Sequence, residues 1–271
     1  MKLSIITINF NNRDGLQKTI DSIVSQTFRD FEWVVIDGGS TDGSRELIEQ
    51  NADNFAYWVS EPDKGVYNAM NKGMAQAKGD YLLFMNSGDW LYNENSLEKC
   101  FAHEFNADVM YGDCLFHYTD YDAEWHNPSP MTFEFLYQSC LSHSSSFIKR
   151  EVLVKEGYDE NMRIASDYEF WLKLAFSNGS FCHLDELVSV YDTSGISSTN
   201  QGLLKDERAR LQAKYIPQMV QADYARLKNM QTRLSDNQVE GVLQYGHKKK
   251  LYHKLITASL VLCRFFDKYF R

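Results

Sequence analysis

The chain predicts an α/β fold in which a mostly parallel central sheet is flanked by helices, and three observations carry that prediction. Four apolar, β-rich runs are separated by helical patterns within the first 85 residues, the alternation of a doubly wound sheet with right-handed crossovers. The fourth run, Tyr-Leu-Leu-Phe-Met at 81–85, carries no charge, as a strand buried on both faces requires. Runs also end in small polar residues, and open α/β sheets bind ligands outside the carboxyl ends of their strands.

Residues 3–8 form the first strand, and Leu16, Ile20, Ile23 and Val24 then recur on one helical face. Residues 31–36 form the second strand, broken by Asp37-Gly-Gly-Ser-Thr-Asp-Gly43. There the glycines let a backbone approach a ligand, and Ser40 or Thr41 can cap the helix at 44–50. A third strand at 57–60 leads through Glu61-Pro-Asp-Lys-Gly65 into a helix carrying Tyr67, Met70, Asn71 and Met74. The fourth strand ends in Asn86-Ser-Gly-Asp89, which by itself fits a plain turn as well as a ligand site.

Beyond Asp89 the pattern changes. A helix at 96–105 precedes a strand at 107–112, then short antiparallel strands within 114–130. His117 and His126 lie there without a second ligand at metal spacing. Residues 142–148 read as a strand, and 150–156 as a short helix. Ser166 suits the N-cap of the next helix, which places Asp167 in its first turn, where the dipole favours a carboxylate. A simple capping acid and a chemically active one are both open at that point.

The 271 residues suffice for one large domain with appendages, which we place at 1–200 with a helical C-terminal extension at 201–271. A formal net charge of -9 argues against nucleic acid as a partner. The acidity is uneven, because 248–271 carries seven Lys or Arg against one acid, Asp267. That basic, Leu- and Phe-bearing tail predicts either peripheral contact with a membrane surface or ordinary packing. Five scattered cysteines show no CxxC pair, consistent with a reducing, cytoplasmic location, including the inner face of the cell membrane. Neither GxGxxG nor GxxxxGK[ST] occurs.

In order and spacing, several segments resemble the family 2 glycosyltransferases of GT-A fold, with most likeness to enzymes of bacterial cell-surface polysaccharide assembly. They are Ile5-Ile-Thr7, Asn11, Ser25-Gln-Thr27, Asp37 to Gly43, Glu61 to Gly65, Ala69-Met-Asn-Lys-Gly73, Ala77-Lys-Gly-Asp80, Phe84 to Trp90 and Ser166-Asp-Tyr168. The resemblance covers about 1–195. It implies a GT-A nucleotide-diphospho-sugar transferase fold and an inverting hexosyl- or N-acetylhexosaminyltransferase. The donor would be a nucleotide sugar, UDP-linked by expectation, and the acceptor a glycan or lipid-linked molecule.

By the same resemblance, Thr7, Asn11 and Asp37 hold the nucleoside, and Asp63, Lys64, Asn71 and Ser87 lie close to the nucleotide or sugar. His143 touches the diphosphate or acceptor, or is structural. Asp89 holds a divalent cation, Mn²⁺ or Mg²⁺, on the diphosphate, and Asp167 is the general base. Two departures stand out. Gly38 replaces the second of two usual acids, and Asn86-Ser-Gly-Asp89 thins an acidic cluster to one carboxylate. The alternative they suggest is a non-catalytic nucleotide-sugar-binding or scaffold protein with a degenerate metal site.

Overall fold

The structure, a computed structural model, describes residues 2–236. Its first half follows the alternation read from the sequence: β1 (Leu3–Asn9), α1 (Arg13–Val24), β2 (Phe31–Asp37), α2 (Ser44–Gln50), β3 (Tyr57–Ser60), α3 (Val66–Gln76) and β4 (Tyr81–Phe84). The order β3-β2-β1-β4 is parallel throughout, which places the ends of β1, β2 and β4 along one edge.

The second half is mixed. It comprises β5 (Trp90–Leu91), α4 (Ser96–Phe101), β6 (Val109–His117), β7 (Asp122–Trp125), α5 (Phe133–Gln138), β8 (Ser146–Lys149), α6 (Arg150–Glu156), α7 (Ser166–Phe176), β9 (Phe181–Asp192), α8 (Ile196–Thr199) and α9 (Gln201–Tyr215). β8 runs antiparallel to β4 and β6, β6 is parallel to β9, and β5 closes the far edge antiparallel to β9. β7 pairs with β6 as a hairpin, because the connection between them is too short for the crossover that a parallel partner needs.

Side-chain alternation along the strands divides the core into two layers. Ile6, Ile8, Val34, Ile36, Leu82 and Phe84 face α3, α6 and α7, meeting Met70, Leu153 and Trp171. Leu3, Ile5, Trp33, Val35 and Leu83 face α1, α2 and α4, meeting Leu16, Ile20, Leu47 and Leu97. Each such side chain contributes on the order of 1.5–3 kcal/mol when fully buried.

Three local expectations are corrected. Ser40 and Thr41 do not cap α2. Gly43, at φ 92, precedes that helix, and Asp42 Oδ1 accepts from Ser44 N (3.1 Å) while Ser40 is drawn to Asp37. The segment at 142–148 is a strand only from Ser146, since His143–Ser145 close a 3₁₀ turn and Ser146 Oγ donates to Ser142 O (2.7 Å). Ser166 is the first residue of α7 rather than its cap, and its hydroxyl accepts from Asp159 N (2.6 Å).

The chain forms two compact units, Met1–Tyr215 and a second beginning at Ile216. The described part of the second unit is Ile216, Pro217 and α10 (Gln218–Asp236), which starts with Val220 N and Gln221 N donating to Pro217 O. The basic tail at 248–271 lies outside the described residues. Among the described residues, no helix is long and apolar enough to cross a membrane.

α9 is part of the first unit and holds the start of α7. The buried Glu207 carboxylate accepts from the backbone N–H groups of Arg163, Ile164 and Ala165, each at 3.0 Å. Replacing Glu207 with Ala leaves those donors unpaired, which costs about 2–4 kcal/mol. Thermal unfolding followed by circular dichroism should therefore show Tm lower by several degrees, and an unchanged Tm would remove this account.

Candidate active site

The site is built where β1, β2 and β4 end, and its frame comes from α1. Asn12 caps that helix with Oδ1 accepting from Gly15 N (3.2 Å), and its Nδ2 donates to Ser87 O (3.0 Å). Two turns on, buried Thr19 donates to Asp89 O (2.7 Å) and accepts from Gly88 N (3.1 Å). These two residues hold the 86–89 turn from below. Gly88 has φ 107, a conformation that side chains rarely adopt, so glycine is needed there.

Asp89 is thereby held inward. Its Oδ1 accepts from Asp192 N (2.9 Å) at the end of β9, and its Oδ2 lies 3.7 Å from His143 Nε2. The other ring nitrogen of His143, Nδ1, lies 3.9 Å from Asp167 Oδ2. One imidazole thus stands between two carboxylates that are far apart in sequence. Tyr67 on α3 completes the group, its hydroxyl donating to Asp167 Oδ1 (3.1 Å).

The electrostatics follow from that arrangement. Burial opposes charge on His143, but Asp167 and Asp89 outweigh it and hold the imidazole pKa up at about 9. Burial pushes the Asp89 carboxyl up, and His143 works against that rise. Tyr67 is pushed well above the ordinary phenol range by burial and by the Asp167 charge, so it stays a neutral donor. The Asn86 amide fits a charged ring. Its Nδ2 lies 2.9 Å from His143 Nε2 while its buried Oδ1 has no partner, and turning the amide over lets Oδ1 accept from Nε2–H.

The second part of the site is the loop after β2. Asp37 is fully buried and accepts from Asn9 Nδ2 (2.7 Å), Ser40 Oγ (2.6 Å), Ser60 Oγ (2.6 Å), Ser40 N (2.9 Å) and Gly39 N (3.2 Å). Burial raises its pKa, but these donors outweigh burial and hold the carboxyl below the usual range. Asn11, in the left-handed region at φ 49, clamps the same loop, accepting from Thr41 N (2.9 Å) and donating its own N–H to Ser40 Oγ (2.7 Å).

The remaining expected residues separate into two groups. Asp63 and the exposed Lys64 lie on the loop before α3, and Asp63 Oδ1 accepts from Gly65 N (2.8 Å). Ser87 is partly exposed beside Asn12. Two others are engaged elsewhere. Thr7 is buried with its hydroxyl accepting from Trp33 Nε1 (3.0 Å), and Asn71 clamps the 158–160 segment through Tyr158 N, Tyr158 O and Glu160. Asp192, Asn12, Thr19 and Tyr67 were not singled out as site residues from the sequence, and Asn86 entered only as part of the 86–89 turn. Thr19 left a local signal, a polar residue on the apolar face of α1, and so did Asn12, a favoured N-cap residue directly before that helix.

A divalent cation can be tested against these donors. Mg²⁺-type ions are held by one or two carboxylates, with phosphate oxygens and water completing the shell. Among the described residues, Asp89 Oδ2 and Asp192 Oδ2 accept no backbone hydrogen bond, and the second lies 3.6 Å from where a Gly88 Cβ would stand. Among the described residues, no group of three or more His, Cys, Asp or Glu is arranged to hold a metal. Any cation here would have to be shared with a bound diphosphate, and at Asp89 Oδ2 it would stand where His143 Nε2 now lies 3.7 Å away.

Comparison with known proteins identifies the family and the fold. The family model described as Glycosyl transferase family 2 matches residues 4–153. An uncharacterized glycosyltransferase of Mycobacterium tuberculosis is 34% identical over 206 residues, covering 72% of this chain and 77% of the relative. Staphylococcus aureus TarS 1-349, solved in complex with UDP-GlcNAc, superposes with TM-score 0.59 at 20% identity over 71% of this chain. The mannosyltransferase PcManGT from Pyrobaculum calidifontis, solved with GDP-Man and Mn²⁺, superposes with TM-score 0.55 at 17% identity over 70% of this chain. This chain spans 58% and 56% of those two solved chains, and at such identities the likeness concerns the fold.

Proposed function

This chain belongs to glycosyl transferase family 2, and from that premise we propose that it moves a sugar from a nucleoside-diphosphate donor to an acceptor hydroxyl with inversion. The observation that carries the reading is the Asp89–His143–Asp167 alignment at the carboxyl ends of the parallel strands. The donor enters along β1 and β2, its nucleoside over the 37–41 loop and Asp63, its diphosphate toward Ser87 and Asp89. Asp37 and Asn11 shape that surface, and Lys64 supplies positive charge beside it.

On the acceptor side, Asp167 takes the hydroxyl proton as the acceptor oxygen bonds to the anomeric carbon. The bond from that carbon to the phosphate oxygen breaks on the opposite face, and the diphosphate leaves with the electron pair. Tyr67 fixes one oxygen of Asp167, so that the acceptor would approach the other, which His143 Nδ1 faces at 3.9 Å. His143 places a positive charge between base and donor, where negative charge grows. A Mn²⁺ or Mg²⁺ ion held by Asp89 and Asp192 would neutralise the departing diphosphate.

The donor is UDP-linked in this proposal, as in the TarS complex, and the sugar is a hexose or N-acetylhexosamine. The acceptor is a glycan or lipid-linked molecule of surface polysaccharide synthesis at the cytoplasmic membrane face. Calorimetric titration with UDP, GDP and dTDP, each with Mn²⁺, Mg²⁺ or chelator, tests the donor site. Binding of one nucleotide, strengthened at least tenfold by a cation, is the expected result. No binding by any of the three would remove the donor site, while binding without transfer or donor hydrolysis would favour the scaffold alternative.

A further inference from the structure

We propose that Asp63 supplies, from the neighbouring loop, the carboxylate that the chain lacks at Gly38, and accepts a hydrogen bond from the nucleoside half of the donor. The inference rests on the donor site proposed above. It starts from Asp37, the acid at the end of β2. Five donors converge on its two oxygens, which exceeds the roughly four lone-pair sites of a carboxylate. Asp37 therefore holds the loop and has no acceptor left for a ligand.

Gly38 follows it, and its backbone does not demand glycine. Its φ lies outside the left-handed region, unlike Gly39 at φ 80 and Gly43 at φ 92, and its N–H donates to Asn9 O (2.8 Å). What a side chain here would meet is the end of the Asp63 side chain, which would have to move aside. A Cβ on Gly38 would stand 2.5 Å from Asp63 Oδ2 and 3.1 Å from Phe10 Cδ2. The Asp63 carboxylate thus occupies the position that a side chain at 38 would take.

The two oxygens of Asp63 have different uses. Oδ1 accepts from Gly65 N and so sets the turn into α3. Oδ2 accepts no hydrogen bond from the described residues and borders the space over Gly38, beside the Phe10 ring, which is 63% exposed. A turn-forming role accounts for Oδ1 but not for the second oxygen or for the glycine opposite it. A nucleoside offers the matching chemistry, ribose hydroxyls and base N–H groups that donate to a carboxylate.

The test is calorimetric titration of the full chain with UDP, 2′-deoxy-UDP and inorganic pyrophosphate, GDP and its 2′-deoxy form replacing the first two should only GDP bind. The variants are Asp63→Ser, whose hydroxyl can still accept from Gly65 N, Gly38→Asp, and the two combined, each checked for folding by circular dichroism. Either single variant should bind the nucleotide at least tenfold more weakly, with pyrophosphate unchanged within twofold. The double variant, which moves the carboxylate from 63 to 38, should recover to within threefold of the parent chain.

If Asp63→Ser also erases the preference for UDP over 2′-deoxy-UDP, the partner is a ribose hydroxyl; if the preference persists in a weakened complex, it is the base. Asp63→Ser binding UDP as the parent does, an equal loss for pyrophosphate, or a double variant no better than the weaker single would each overturn the inference. A parent chain that binds no nucleotide would overturn the donor site, and this inference with it.

Discussion

Asp167→Asn should lower sugar transfer by about 10³-fold while leaving nucleotide affinity within a few-fold of the parent. The asymmetry follows from where the residue stands. Asp167 is on the His143 side away from Asp89, so the diphosphate half of the donor does not depend on it. The amide keeps an oxygen to accept from Tyr67, so the geometry survives while the proton acceptor is lost. A second readout checks that the contact is real. With one of its two carboxylate partners gone, His143 should titrate below its value of about 9, measured by NMR of the imidazole. Full transfer activity in this variant would remove the base assignment.

Asp37→Asn should cost about 3 kcal/mol in urea unfolding and abolish nucleotide binding, although the side chains have the same shape. The new amide nitrogen turns a donor toward donors already present, either Gly39 N, Ser40 N and Ser60 Oγ or, flipped, Asn9 Nδ2 and Ser40 Oγ. The sign of its pH dependence is fixed by the depressed pKa of Asp37. A carboxyl lowered on folding stabilises above its unfolded pKa, roughly 3.9, and loses that contribution as pH falls through the folded value. The gap between parent and variant should stay constant above about pH 5 and narrow as pH drops below 4. A gap that widened in acid would mean that Asp37 is not held as an ion by these donors.

These expectations divide according to how far apart the interacting residues are. The alternation of β1 to β4 with α1 to α3 was legible because periodicity and uncharged runs are local properties of a chain. The small polar residues at strand ends were legible as a candidate site for the same reason, since parallel topology brings those ends to one edge. Among the residues named there, Asp89, His143 and Asp167 do lie together, though the likeness to family 2 glycosyltransferases left His143 open as a structural residue.

Roles were less legible than positions. Asp37 and Asn71 point to the site by motif, yet in the fold their polar atoms are taken up by clamping neighbouring loops. The direction of a side chain depends on which donors reach it, and those come from other elements.

By itself, then, the sequence determined the layered α/β core, its parallel half and the edge at which its small polar residues gather. Only the tertiary structure decided that Asp192 meets Asp89 across 103 positions, that Glu207 in α9 holds the start of α7, and that Asp63 fills the space over Gly38. The physical reason is the same in each case. A strand or helix is set by neighbours a few residues away, whereas a carboxylate takes its role from whichever donors the packed chain brings within about 3 Å.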